Sequence, residues 1–273
     1  MKVFVGALAL LAPGLEGWEA SREVLTGRRP FVAPAAPFAP PSPPSLPPAE
    51  RRRTTAAIRL AVAAADAALL ASSLKDAATD LASVFSSSNG DGAVIDAILQ
   101  ALAAPERVVS PTQFHNSVHN SPPAYWAIGA RARGSSTSFG CWNDSFAAGL
   151  LHAVAKASAR REPVLLCVYD APLPPPLSAV RRTELPFATA MVLTPEPVPF
   201  AIAELEVRFK AGRCGPGTSE PRLPALRPLY QGNPAARSLR LLEILARREA
   251  GGAAVATLPY LDDSHLALRI EPC

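Results

Sequence analysis

The sequence predicts an α/β protein, and three observations carry that reading. The stretch RGSSTSFGCWNDSFAAGLLHAVAKA, Arg133–Ala157, has the pattern of a short strand, a tight turn and a helix. The apolar run PVLLCVYDA that follows, ending at Ala171, reads as a buried strand. Far upstream, ERRRTTAAIRLAVAAADAALLASS places Ile58, Val62, Ala65 and Leu69 at helical spacing on an Ala-rich background. With 273 residues, 49% of them apolar, the chain has the material for one large α/β domain or two small ones.

Composition narrows the function classes. The net charge is only +4, and the arginines are scattered rather than gathered into a stripe with interleaved aromatics, which argues against nucleic-acid binding. Four cysteines, Cys141, Cys167, Cys214 and Cys273, include no CxxC pair, so a zinc knuckle or thioredoxin motif is excluded. No segment approaches the roughly 20 apolar residues of a membrane-spanning helix. The 30 prolines are the compositional outlier and fall mostly in loops.

In chain order, MKVFVGALALLAPG reads as a first strand of the sheet ending in a Pro-Gly turn. A competing reading is a signal peptide, which would make the protein an exported binding protein, but the basic region is a single Lys. LEGWEASREVLTGRR is short helical or irregular structure. Residues 30–48, Pro- and Ala-rich, predict an extended surface segment. Glu50–Ser73 is expected as one helix, with Arg51–Arg53 at its start, against the helix dipole. LASVFSSSNGDGAVIDAILQALA predicts strand, turn and helix, with Asp91 as the helix cap. In the final third, FATAMVLTP and FAIAELEVRFK predict strands, RCGPGTSEPRLPALRPL a loop, NPAARSLRLLEILARRE a helix capped by Asn233, and SHLALRIEP a strand with Leu266, Leu268 and Ile270 on one face. No internal repeat is visible.

Strand–turn–helix is how α/β enzymes mount a nucleophile at a helix N-terminus, where the backbone N–H groups stabilise negative charge and lower a thiol's pKa. Cys141 is the thiol in that turn, with His119 or His152 as the candidate base for an acyltransferase or condensing enzyme. His115 and His119 have the spacing of two zinc ligands on one helix face, but Asn116 stands where the catalytic Glu of that motif belongs, and only His152 and His265 remain as further imidazoles. No metal and no cofactor are expected.

The ordered set Ser117-Val118-His119-Asn120, Tyr125-Trp126 and Ser145-Phe146-Ala147-Ala148-Gly149-Leu150-Leu151, preceded by Phe85–Asp91 and the helix from Arg51 to Leu70, resembles the N-terminal half of β-ketoacyl synthases. Within that family it is similar to the divergent proteins found with aryl polyene or xanthomonadin-type pigment genes. The resemblance covers roughly residues 1–195, leaving residues 196–273 as a short strand–loop–helix–strand extension packed on the same domain. It implies a thiolase-like fold, a mixed sheet packed between helices, truncated relative to full-length ketosynthases. It also implies a nucleophile position near Asn143, with Cys141 two residues early and Asp144 and Ser145 completing the elbow. Condensation needs a Cys and two imidazoles that stabilise the developing charge, and residues 196–273 hold one His, His265, in neither family pattern. The implied role is therefore a non-condensing, chain-length-factor-like subunit with no catalytic residues of its own. Its expected partner is a full-length β-ketoacyl synthase, with acyl carrier protein reached through that partner, in the cytoplasm. Phe114, His119, Asn120, Tyr125, Trp126 and Trp142 are the expected interface or tunnel residues.

Overall fold

The computed structural model describes residues 1–32, 38–215, 218–247 and 252–273. Parts of three predicted segments, at 33–37, 216–217 and 248–251, lie outside the described residues. The strands are β1 (Lys2–Ala12), β2 (Leu15–Glu16), β3 (Ala82–Ser86), β4 (Ser136–Phe139), β5 (Val164–Asp170), β6 (Phe187–Thr194), β7 (Ala203–Ala211), β8 (Ala254–Tyr260) and β9 (Ser264–Pro272). The helices are α1 (Trp18–Leu25), α2 (Pro48–Arg51), α3 (Ala56–Leu70), α4 (Gly92–Ala103), α5 (Pro111–Asn116), α6 (Ser121–Ala130), α7 (Ser145–Arg160), α8 (Leu177–Val180), α9 (Arg227–Gly232) and α10 (Leu239–Arg247).

One mixed sheet runs in the order β4-β3-β5-β6-β1-β7-β9-β8, with β2 folded back on β1. β3 pairs in parallel with both β4 and β5, and the remaining neighbours are antiparallel. The apolar N-terminal run is the central strand β1, hydrogen-bonded to β6 on one side and β7 on the other. Its near-continuous apolar character follows from covered faces on both sides. Val3, Val5, Leu8 and Leu10 enter one core, and Ala7, Ala9 and Leu11 enter the other. The change of face falls at the β-bulge between Val5 and Ala7.

Two helices sandwich this sheet. α3 packs on β6, β1 and β5 on one face, and α7 packs on β5, β3 and β1 on the other. The Ala-rich sequence of α3 is what permits close approach: Ala57, Ala61, Ala64, Ala65 and Ala68 are all buried there. Gly149 does the same for α7, because a Cβ at that position would lie 2.9 Å from Ser86 Cβ on β3.

Several predicted elements change shape. The expected single helix over Glu50–Ser73 is two: α2 ends at Arg51, and α3 begins after Thr55, whose Oγ1 accepts the Ile58 N–H at 3.1 Å. Arg52 and Arg53 therefore occupy a turn, not the start of the long helix. Asp91 caps α4 as expected, accepting the Val94 N–H at 3.2 Å, and its other oxygen accepts the Thr55 hydroxyl, so the two caps are tied together. Asn233 is buried, and its Oδ1 accepts the Ala235 N–H at 2.8 Å at the start of a 3-10 turn that leads into α10. The loop expected over 213–229 contains the start of α9. AVATLPY carries little alternation and no strand is expected there, yet it forms β8, a hairpin with β9 at the outer end of the sheet. Residues 196–273 thus continue the sheet of residues 1–195 through the β1–β7 pairing.

Candidate functional site: the turn before α7

β4 ends at Phe139, Gly140 and Cys141 follow, and Trp142–Asp144 forms a 3-10 turn that leads directly into α7. Trp142 sits at φ +47°, a left-handed conformation that bulky residues rarely adopt. The neighbouring β3 ladder extends into this region: the Ser87 N–H donates to Phe139 O at 3.0 Å.

Ser145, one of the elbow positions, is buried and fully employed. Its Oγ accepts the Cys141 N–H at 3.0 Å, and its hydroxyl donates to Trp142 O at 2.8 Å. It closes the turn on itself and does not face solvent as a nucleophile would. Asp144 accepts the Leu261 N–H at 2.9 Å, fastening the turn to the β8–β9 hairpin. Burial raises its carboxyl above the usual range, and that same hydrogen bond and Arg237 pull it back.

Cys141 is half-buried and free. Helix-terminus activation of the thiol is not what this geometry delivers: burial first, and the Asp144 carboxylate second, hold the Cys141 pKa above its ordinary value. The 3-10 turn is the physical reason, since it interposes three residues between Cys141 and α7 and brings an acid into the thiol's neighbourhood. Among the described residues no hydrogen bond joins the thiol to an imidazole. His119 lies beside the turn, with its Nε2 3.6 Å from where a Cβ on Gly140 would be, but that nitrogen is hydrogen-bonded to Ser87 O at 3.2 Å. His152 packs edge-on against Phe139 with centroids 4.6 Å apart, and burial lowers its pKa, followed by the charge of Lys156. His265 bonds Gly212 O on the β7–β9 side of the sheet.

The structure divides the remaining predicted residues. Phe114 and Trp142 are exposed at 69% and 62%, and His119 and Asn120 are exposed too. Tyr125 and Trp126, expected with them as interface or tunnel residues, are buried in this chain's own core on the α3 side, where Trp126 contacts Phe85. The Tyr125 hydroxyl donates to Asn116 Oδ1 at 3.1 Å, and Asn116 Nδ2 donates to Arg53 O at 2.8 Å. His115 and His119 do not share a helix face: α5 ends at Asn116, and His119 lies in the turn before α6.

Two residues that the sequence reading missed organise the turn and the neighbouring Ser87–Asn89 loop. The Arg181 guanidinium lies 3.7 Å over the Trp142 ring, donates to Asn89 Oδ1 at 2.7 Å and to Asn143 Oδ1 at 3.2 Å, and also donates to Ser88. Asn143, the position implied for the nucleophile, is thereby an acceptor for a cation. Arg181 follows a proline-rich loop with no periodicity, so nothing local marked it. Asp170 ends β5 with no exposed surface. Its Oδ1 accepts the Ser87 hydroxyl and the Ser88 and Asn89 N–H groups at 2.9, 2.9 and 3.0 Å. An acid closing the apolar run VLLCVYD was the available signal.

Comparison with known proteins places this architecture. The family model described as "Beta-ketoacyl synthase, N-terminal domain" matches residues 28–233. No curated protein sequence matches significantly. Among solved structures, a chain of the complex of the ketosynthase ApeO with its chain length factor ApeC from Xenorhabdus doucetiae is similar at a TM-score of 0.70 and 25% identity, over 98% of this chain and 99% of that one. A chain of the ishigamide ketosynthase/chain length factor gives a TM-score of 0.74 at 12% identity, over 100% and 99%. The ketosynthase from module 6 of the bacillaene synthase of Bacillus subtilis gives 0.66 at 11%, over all of this chain and 71% of the longer one. The fold is the thiolase-like fold of ketosynthases. The chain belongs to the β-ketoacyl synthase N-terminal domain family, and the similarity runs past residue 195 into the β7–β9 region.

Proposed function

We propose that this chain is a non-condensing ketosynthase-like subunit, comparable to a chain length factor, that pairs with a full-length β-ketoacyl synthase and shapes the acyl tunnel of the pair. The observation that carries the reading is the turn before α7. The implied nucleophile position holds Asn143 bonded to Arg181, and no imidazole among the described residues is hydrogen-bonded to the displaced Cys141 thiol, whose pKa burial and Asp144 raise. The similar ApeO–ApeC and ishigamide structures are ketosynthase–chain length factor pairs, which supports the kind of partner. The product class we assign is a fatty acyl or aryl-polyene-type chain made in the cytoplasm, with acyl carrier protein engaged by the partner.

Two surface features support pairing. Among the described residues β4 is an edge strand, bonded only to β3, and an open edge accepts a strand from another chain. α4 buries only Gly92 and Val94, leaving Ile95, Leu99 and Leu102 as an exposed stripe, and Phe114, Val118 and Ile128 are exposed on the following segments. Apolar surface of this extent marks interaction sites on soluble proteins.

Co-expression with the ketosynthase of the native host tests the proposal. The expected result is a stoichiometric complex, with this chain aggregating when expressed alone. A stable monomer that ignores the ketosynthase would overturn it. Acyl-thioester labelling followed by mass spectrometry checks the opposite assignment: an acyl adduct on Cys141 would make the chain an acyltransferase. Intact mass of the native protein distinguishes an exported form by loss of its N-terminal segment.

A further inference from the structure

Asp170 and Arg181 grip the same short loop from its two sides. On the buried side, one oxygen of Asp170 takes three donors, the Ser87 hydroxyl and the Ser88 and Asn89 N–H groups. On the outer side, the side chains of Ser88 and Asn89 accept from the Arg181 guanidinium, which also donates to Asn143 and stacks on the Trp142 ring. The carboxyl group thus shapes the loop, the loop seats the guanidinium, and the guanidinium holds the turn before α7. What it holds is unfavourable by itself: Trp142 is a bulky residue in the left-handed backbone region, with most of its surface in solvent.

The second oxygen of Asp170 is buried and has no hydrogen-bond partner among the described residues. A neutral carboxyl bears that position at far lower cost than an ionised one, which places unpaired charge out of water. Among the described residues Arg181 is the cation whose charge acts on Asp170. Every group it is bonded to is neutral: Ser88, Asn89, Asn143 and the Trp142 ring. In a partly desolvated place a guanidinium is held more strongly by a carboxylate than by an amide, a hydroxyl or a ring. Ionisation of Asp170 therefore draws Arg181 inward, off Asn143 and Trp142, and protonation returns it. Burial brings this titration up to about 7, against the pull of the loop donors and of Arg181.

The other groups around Asp170 do not supply a competing charge at that pH. Tyr169, beside it on β5, is buried, and burial holds its hydroxyl well above the ordinary range. Asp91 acts on Tyr169 from the cap of α4. Asn233 donates to the Asp170 backbone carbonyl, and Thr183 accepts from Asn89; both are neutral. His119 touches the far side of the loop at Ser87 O, and Arg237 acts on Arg181 and on Asp144.

We propose that Asp170 is the positioning residue of a proton-controlled clasp: with Asp170 neutral, Arg181 pins Trp142 and Asn143, and with Asp170 ionised, Arg181 is drawn inward and the turn before α7 is released. The clasp lies within this chain and does not depend on the function assigned to the turn.

Fluorine NMR of the chain labelled with fluorotryptophan tests the clasp, with unlabelled ketosynthase present if the complex is the soluble form. The chain has three tryptophans, and the resonance lost in Trp142→Phe is that of Trp142. On titration through neutrality this resonance is expected to move with a midpoint at about 7, while those of the buried Trp18 and Trp126 stay in place. Asp170→Asn is expected to hold it at its low-pH position at every pH, and Arg181→Gln to hold it near its high-pH position. His119→Gln and Asp144→Asn, which remove the other ionisable groups beside the turn, are expected to keep the transition. If Asp170→Asn fails to fold, Arg181→Gln together with the His119→Gln and Asp144→Asn controls decides. A Trp142 resonance that does not move, a transition that survives Asp170→Asn or Arg181→Gln, or one abolished by His119→Gln or Asp144→Asn would each overturn the proposal.

Discussion

Asp170 shows how one buried side chain can position a site. Burial pushes its carboxyl up to about 7, against the opposing pull of the Asn89, Ser87 and Ser88 donors and of Arg181. Because an unfolded Asp titrates near ~3.9, the folded state binds the extra proton. The stability this group contributes is then full below pH ~4 and is lost as pH rises through about 7. Asp170→Asn keeps an acceptor for the three donors and removes the charge, so urea unfolding of this variant is expected to lose that decline between pH 4 and 7. Asp170→Ala leaves the donors unpaired and is expected to cost about 2–5 kcal/mol. At Cys141 the raised pKa predicts slow alkylation by iodoacetamide at pH 7, with the rate climbing only above the usual thiol range of about 8.5. Cys141→Ala is expected to leave the activity of the ketosynthase complex within about twofold, and a loss of more than tenfold with the complex intact would return catalysis to this thiol.

At the level of elements, α3 and α4 start from a shared pair of caps. The Thr55 hydroxyl donates to Asp91 while its oxygen accepts the Ile58 N–H, so one substitution removes the α3 cap and the hydroxyl that holds the Asp91 cap of α4. Thr55→Ala is expected to lower stability by about 1–2 kcal/mol, readable as a fall in the urea midpoint at constant slope. The Asp91 cap was legible because Asn-Gly-Asp-Gly precedes a long apolar run. The Thr55 cap was not, since Glu50–Ser73 contains no Pro or Gly to mark a break, and the Ala-rich pattern continues smoothly back through Thr54 and Arg53. A turn rather than one helix also separates His115 from His119, at the division between α5 and α6.

For the whole molecule, one group of exposed apolar side chains lies on α4 and the segments that follow it. Leu99 and Phe114 are 53% and 69% exposed, so replacing them with Ser removes little packing within this chain. The double variant Leu99→Ser/Phe114→Ser is expected to keep its melting temperature and to lower recovery of the ketosynthase complex at least tenfold, as measured by co-purification. Unchanged recovery would move the proposed interface elsewhere. Tyr125→Ala or Trp126→Ala would not test the interface, because both residues are buried in the core and their loss destabilises the fold itself.

The amino-acid sequence by itself determined the strands that alternate or run apolar, the Asp91 cap and the family resemblance, because periodicity and short ordered motifs are local properties. Only the tertiary structure decided what the turn before α7 is made of. Arg181 reaches Asn143 across 38 residues, Asp144 meets Leu261 across 117, and Ser87 meets Asp170 across 83. Such contacts depend on which strands become neighbours in the sheet, and no spacing along the chain encodes that. The Cys141 thiol follows from the same cause: helix position alone predicts a lowered pKa, whereas burial and an adjacent carboxylate, both products of packing, raise it.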